Sequence, residues 1–256
     1  MPDSLDPGRI RVPGAEVRVT PRCASTNAVL LAERPARPVL LAAEEQTAGR
    51  GQRGRRWRSA PGAGATFTLV RRFAGEPRRL AGLSLAVGVA AARALRALGA
   101  ADVALKWPND LLAGEAKLGG ILVETRIQGD HAWVAAGIGI NCRPVGALAA
   151  RLRRPLAALD DLVRPPLSRN RVIEAVGREV LAALATWERE GLPAFAQEWQ
   201  ALHAHQGRRL RVRFADGRSV TGVAEGLAPS GALRLRTRAG PRDIADGRIV
   251  AERRAA

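Results

Sequence analysis

Leu80, Leu83, Val87, Ala91, Ala94, Leu95 and Leu98 recur at three- and four-residue intervals, and that spacing predicts a helix over 80–98. Arg169–Glu190 and Pro193–His203 read as two further helices, broken at Gly191-Leu192-Pro193. Other apolar segments are short or alternate with a period of two. Val17–Thr20, Val39–Ala43, Thr66–Val70, Val103–Lys106, Ile121–Arg126 and Ala132–Ile140 read as strands. The last two form an antiparallel hairpin through Gly129-Asp130. Ser25 or Thr26 is a good N-cap for a short helix over Ala28–Ala32. Met1–Pro13, polar and rich in Pro and Gly, is expected to be a loose arm. Glu44–Pro61 holds too much Gly and Arg to be regular throughout.

The texture changes after Gln206-Gly207. Arg209–Phe214 alternates charged and apolar residues, Asp216-Gly217 marks a turn, and Val220–Ala224, Leu233–Arg236 and Ile249–Ala251 are short strands between turns. The pattern predicts an α+β domain over 1–205, with a mixed or antiparallel sheet, and a small β-barrel-like module over 206–256. A length of 256 residues suits that division. No internal repeat is visible.

Composition narrows the function classes. The formal charge of +17 is of the kind that attracts nucleic acid or acidic surfaces. Yet the arginines are spread along the chain and accompany a general enrichment in Arg, Ala, Gly and Pro, so the charge alone selects no function. Cys23 and Cys142 are far apart, and with His131, His203 and His205 they make no zinc pattern. A reduced cytoplasm is the simple home. Met1–Asp6 does not open a signal peptide, and Arg93 and Arg96 interrupt 80–98, so no membrane span is expected.

Of the 41 basic residues only two are lysines, Lys106 and Lys117. They lie in Lys106-Trp-Pro-Asn-Asp110 and Lys117-Leu-Gly-Gly-Ile-Leu-Val-Glu124. In a chain so biased to arginine, a surviving lysine is a candidate point charge for one phosphate or carboxylate oxygen. Gly49-Arg-Gly-Gln-Arg-Gly-Arg-Arg-Trp57 combines backbone freedom with cations, as an anion-binding loop or a flexible RNA-binding tract would. It is neither a Walker A loop nor a Rossmann fingerprint. Asn109 and Asp110 suit a nucleotide or Mg²⁺, or simply a capped turn. Gly137-Ile-Gly-Ile-Asn141 places two glycines on one strand face, open to a ligand or to tight packing.

These segments, with Ser25-Thr26-Asn27 and Gln46 and in this order, resemble the biotin protein ligase family from about Val17 to the C-terminus. The resemblance implies a class II synthetase-like catalytic domain followed by an SH3-like β-barrel, and an enzyme that makes biotinyl-5′-AMP from biotin and ATP. It would then transfer biotin to a lysine of a carboxylase's biotin carboxyl carrier domain. Ser25, Thr26, Asn27, Gln46 and Gly137 match biotin-binding positions. Arg50, Gly51 and Gln52 match the loop over biotin and its adenylate. Lys117 matches the lysine at the biotin carboxylate and α-phosphate, and with Arg50 it is the implied catalytic pair. Arg55, Trp57, Asn109, Asp110 and Asn141 match nucleotide-side positions. Lys106 would orient Asp110 or the triphosphate, Asp110 is a candidate for Mg²⁺, and an arginine of the C-terminal module such as Arg253 would close over ATP.

Two features depart from the family pattern. Gln52 stands where many members carry arginine. Only about 20 residues precede Ser25, too few for the winged helix-turn-helix of dual-function members, so no specific DNA binding is expected. A monomer and a homodimer both remain open. A lipoate-type ligase is the alternative within the fold, and a basic nucleic-acid-binding module the alternative outside it.

Overall fold

The computed structural model describes the side chains of residues 3–74 and 80–250 and the backbone through residue 253. A seven-stranded mixed sheet forms the body. Its strands are β1 (Glu16–Cys23), β2 (Val39–Gln46), β3 (Gly64–Ala74), β4 (Val103–Lys106), β5 (Asp110–Ala113), β6 (Ala116–Gln128) and β7 (His131–Asn141). They lie in the order β1-β2-β3-β7-β6-β5-β4, with only β1 and β2 parallel. The predicted hairpin is β6–β7, closed by Gln128 opposite His131.

Alternation along the central strands decides what each face carries. Ala65, Phe67 and Leu69 of β3, with Val134, Ala136, Ile138 and Ile140 of β7, join the main core. That core is covered by α2 (Leu83–Ala97), α4 (Arg169–Glu190) and α5 (Pro193–Leu202). The opposite face carries Thr66, Thr68 and Val70, then Trp133, Ala135, Gly137 and Gly139. α1 (Thr26–Glu33) covers one part of it through Leu30, which packs with Val39, Leu41, Val70, Trp133 and Ala135. Beyond α1 that face carries Thr66, Thr68, Gly137 and Gly139.

The helix expected over 80–98 begins at Leu83, because Gly82 adopts φ 85° and ends the preceding turn. Three short elements were not read: β5, α3 (Gly146–Leu152) and, in the C-terminal module, β11 (Gly240–Ile244). All are short enough that neighbours rather than periodicity define them. The N-terminal segment is not a loose arm. Leu5, Ile10 and Val12 are buried. Leu5 N–H donates to Glu44 Oε1 (2.6 Å), and Asp3 accepts from the backbone N–H of Arg169 (2.9 Å). Arg169, only 3% exposed, also pairs with Glu44 at 2.7 Å. Three apolar side chains and a partly buried ion-pair network around Arg169 hold what composition suggested would be free.

The C-terminal module contains β8 (Arg209–Arg213), β9 (Ser219–Leu227), β10 (Leu233–Thr237), β11 (Gly240–Ile244) and β12 (Arg248–Arg253). The module is SH3-like, as expected, but it is not a closed barrel. The five strands make an SH3-like antiparallel sheet in the order β11-β10-β9-β8-β12, with the first and last strands unpaired to each other. Register shifts in β10–β9 and β12–β8 supply the curvature that the alternation pattern suggested as closure. The Arg253 side chain lies outside the described residues.

Candidate active site

A cavity of about 410 Å³ opens on the sheet face that α1 leaves uncovered. One end is built from neutral polar groups. Ser25, Thr26 and Asn27 start α1 and are buried. Gln46 Oε1 accepts from the Thr26 backbone N–H (2.7 Å) and hydroxyl (3.0 Å). The Thr26 and Thr68 hydroxyls lie 2.7 Å apart, and Thr68 donates to Asn27 Oδ1 at 2.5 Å. Asn27 Nδ2 donates to Leu122 O (3.1 Å) and Glu124 Oε2 (2.8 Å). Glu124 also receives Arg50 at 3.0 Å, so one carboxylate ties the glycine-rich loop to this end.

Glycine is required where the floor meets these groups. A Cβ on Gly137 would stand 2.3 Å from Asn27 Oδ1, and one on Gly139 would stand 2.3 Å from the Trp57 ring. Among the described residues, Trp57 Nε1, buried over Gly139, has no hydrogen-bond partner, and neither does the buried Thr66 hydroxyl opposite Gly139. Two orphaned polar atoms in a cavity wall mark a place that a polar ligand can satisfy.

The other end is cationic. β4 and β5 form a hairpin with Lys106 opposite Asp110, and Trp107-Pro108-Asn109 as its loop. Asp110 is engaged by the ammonium of Lys117, not of Lys106. Burial lowers the Lys117 pKa, and Asp110 opposes that shift. Asn109 Nδ2 donates to Ile121 O at 2.6 Å, which fixes the loop against β6. Burial also lowers the Arg55 pKa, helped by Arg248 and Arg53. The loop at 49–57 is a closed turn: Gly51 N–H donates to Arg55 O (2.7 Å) and Trp57 N–H to Gly49 O (3.0 Å). Arg53, at φ 55°, reaches the C-terminal module and bonds the Asp246 carboxylate and Gly247 O.

Ser25, Thr26, Asn27, Gln46, Arg50, Gly51, Gln52, Arg55, Trp57, Lys106, Asn109, Asp110, Lys117 and Gly137 all line this cavity. Asn141 does not. Its amide donates to the carbonyls of Lys117 (3.3 Å) and Ala157 (3.0 Å), pinning the segment after α3 to the sheet. Thr66, Arg154 and Arg248 line the cavity without having been singled out. The period-two pattern through Thr68 points to Thr66, but nothing local distinguishes two arginines among so many. Among the described residues no three His, Cys, Asp or Glu side chains cluster as metal ligands.

The Biotin/lipoate A/B protein ligase family model matches residues 19–141, and the Biotin protein ligase C terminal domain model matches 205–250. The Biotin--[acetyl-CoA-carboxylase] ligase of Paracoccus denitrificans is 36% identical over 234 residues, 86% of this chain and 93% of that protein. The chain belongs to the biotin protein ligase family. The Bifunctional ligase/repressor BirA of Escherichia coli is also 36% identical, over 226 residues that make 87% of this chain and 70% of that protein. A biotin protein ligase from Aquifex aeolicus, solved in complex with biotin and ATP, superposes with a TM-score of 0.78 at 24% identity, covering 93% of this chain and 99% of that one. That likeness extends the shared ligase fold through both sheets.

Proposed function

We propose that the chain is an ATP-dependent ligase that activates biotin as biotinyl-5′-AMP and transfers it to a lysine of a biotin carboxyl carrier domain. The observation that carries this reading is one cavity, in a chain of this family, that joins a buried amide-and-hydroxyl end to a cationic end. A ureido group needs donors and acceptors together, and Ser25, Thr26, Asn27 and Gln46 offer both. The dithiolane of lipoate offers no polar group to the Thr66 hydroxyl and Trp57 Nε1 of the same cavity, unpartnered among the described residues, and leaving such groups unpaired is costly. That polar end favours biotin over lipoate.

The chemistry follows from the charges. A carboxylate acylates poorly because its leaving group would be oxide. Attack of a biotin carboxylate oxygen on the α-phosphorus of ATP breaks the bond to the bridging oxygen, and pyrophosphate leaves with the electron pair. The acceptor amine then attacks the acyl carbon of the mixed anhydride and expels AMP. Both steps bring anions together, and Lys117 with the arginines would act by positioning and charge stabilisation. Arg50, Gly51 and Gln52 would cover the adenylate, and Arg55, Trp57 and Asn109 would hold the nucleotide. A divalent ion fits best as part of the substrate. With Asp110 taken by Lys117, Mg²⁺ would enter on the phosphates of ATP.

Residues 1–205 would then be the catalytic body and 206–256 a module bordering its nucleotide end. Both cysteines are free thiols, which suits a reduced cytoplasm. The test is transfer to a purified carrier domain, with biotin and lipoate offered in equal amounts. Modification of the carrier lysine by biotin supports the reading; modification by lipoate, or by neither, rejects it.

A further inference from the structure

Lys117 sits at a margin of the sheet's hydrogen bonding. β7 pairs with β6 only from Gly119 onward, and the β5–β6 register shifts so that Leu118 is left out of the pairing. Such a shift disrupts the ladder locally. Both backbone groups of Lys117 bond a strap outside the sheet instead. Its N–H donates to Pro155 O (3.1 Å), and its carbonyl accepts from Ala157 N–H (3.0 Å). The strap follows α3, which buries no residue, so its hold comes from beyond it. Ala157, Ala158 and Leu159 are buried there. The next residue, Asp160, is gripped twice: its N–H donates to Cys142 O (3.1 Å), and its carboxylate accepts from Arg143 at 2.8 Å.

Arg143 joins distant parts of the chain. Besides Asp160, its guanidinium bonds the Asp3 carboxylate and Leu167 O (3.0 Å). Asp3 in turn pairs with Arg169, which reaches Glu44 at 2.7 Å, two positions before Gln46 on β2. A planar fork serves two carboxylates and a carbonyl at fixed angles, which a neutral side chain cannot do. We propose that Arg143 is a positioning residue: clasped between Asp3 and Asp160, it fixes the strap at 155–157 and so the backbone from which Lys117 reaches the reacting groups. The proposal rests on the ligase reading above. Arg143 does not line the cavity, so its effect passes through Lys117. The loss on breaking the clasp therefore falls on kcat for adenylation. KM for biotin depends on the separate polar end at Ser25, Thr26, Asn27 and Gln46.

Arg143→Gln, Asp160→Asn and the conservative Arg143→Lys are compared with wild type and with Arg71→Gln, which removes an ion pair to Glu188 near the other end of β3. In Arg143→Gln and Asp160→Asn, kcat for biotinyl-AMP formation is expected to fall about 10- to 100-fold, the scale of loss for a misplacement of about 1 Å. KM for biotin stays within about threefold of wild type. Arg143→Lys recovers part of the loss, and Arg71→Gln keeps the wild-type kcat. If the clasp only stabilises the fold, the melting temperature drops while kcat per folded molecule is unchanged. That result, or a loss carried by KM for biotin, would overturn the assignment. Hydrogen exchange needs no turnover. The Lys117 and Ala157 amides are expected to exchange faster in Arg143→Gln and Asp160→Asn, while the amides of β7 keep their protection. That pattern supports the clasp even if biotin proves not to be the acid. Wild-type protection at both amides, or faster exchange throughout β7 as well, removes it. Asp160→Asn leaves Asp3 paired with Arg143 and Arg169, so it carries the test if Arg143→Gln does not fold.

Discussion

Gly137→Ala should abolish tight biotin binding while leaving the sheet intact. The new methyl carbon would lie 2.3 Å from Asn27 Oδ1, whereas ordinary contact begins near 3.4 Å. Asn27 must therefore shift by about 1 Å. It has little room, because its oxygen accepts from Thr68 at 2.5 Å and its nitrogen donates at 3.1 and 2.8 Å. A shift of that size breaks or bends all three bonds. At about 1 kcal/mol net each, the loss is about 3 kcal/mol, or roughly 100-fold in affinity if the biotin end depends on this alignment. Calorimetric titration of biotin measures it. Gly146→Ala is the control, since a Cβ there meets nothing within 4 Å. Biotin binding to Gly137→Ala within about threefold of wild type would refute the placement of Asn27 in the acid-binding end.

Three further outcomes are expected. Gln52→Arg should slow escape of biotinyl-AMP, because a cation over the adenylate adds attraction that a neutral amide lacks; equal release rates in a trapped single-turnover assay would end that idea. Asp110→Asn removes the main influence opposing the burial of Lys117, so the Lys117 pKa should fall further and the basic limb of the adenylation pH profile should move to lower pH; a limb that stays or rises contradicts this. His203 is buried, and its pKa is held down to about 4 from an ordinary 6.5. Below pH 6.5 the unfolded chain takes a proton that the folded chain refuses, so stability should fall from about pH 6.5 to 4 and then level off with respect to this group. His203→Gln should flatten that slope in urea melts taken at several pH values, and an unchanged slope would exclude His203 as its source.

Much of the site was legible because its residues act through local order. Ser25-Thr26-Asn27 sits at a helix start, as the sequence suggests, although the Ser25 side chain makes no capping bond. Gly137-x-Gly139 shows its shared face through the strand period, and Lys117 stood out against the arginine background. What was hidden depends on distant partners. Arg154 and Arg248 look like any other arginine until the chain folds both into the wall of the cavity that Lys117 lines. Asn141 sits in a motif, yet its amide is spent on the carbonyls of Lys117 and Ala157. Leu5, Ile10 and Val12 are too few and too scattered to announce a packed segment. The open C-terminal sheet differs from a barrel only in whether β11 meets β12, which alternation within single strands does not encode.

The most direct test is to incubate the protein with ATP, Mg²⁺ and either biotin or lipoate, following pyrophosphate release and the acyl-adenylate by mass, with Lys117→Ala alongside. The account predicts biotin-dependent pyrophosphate and biotinyl-AMP from wild type, little from Lys117→Ala, and no lipoyl-AMP. Lipoyl-AMP in place of biotinyl-AMP, or no acyl-adenylate from either acid, would contradict it.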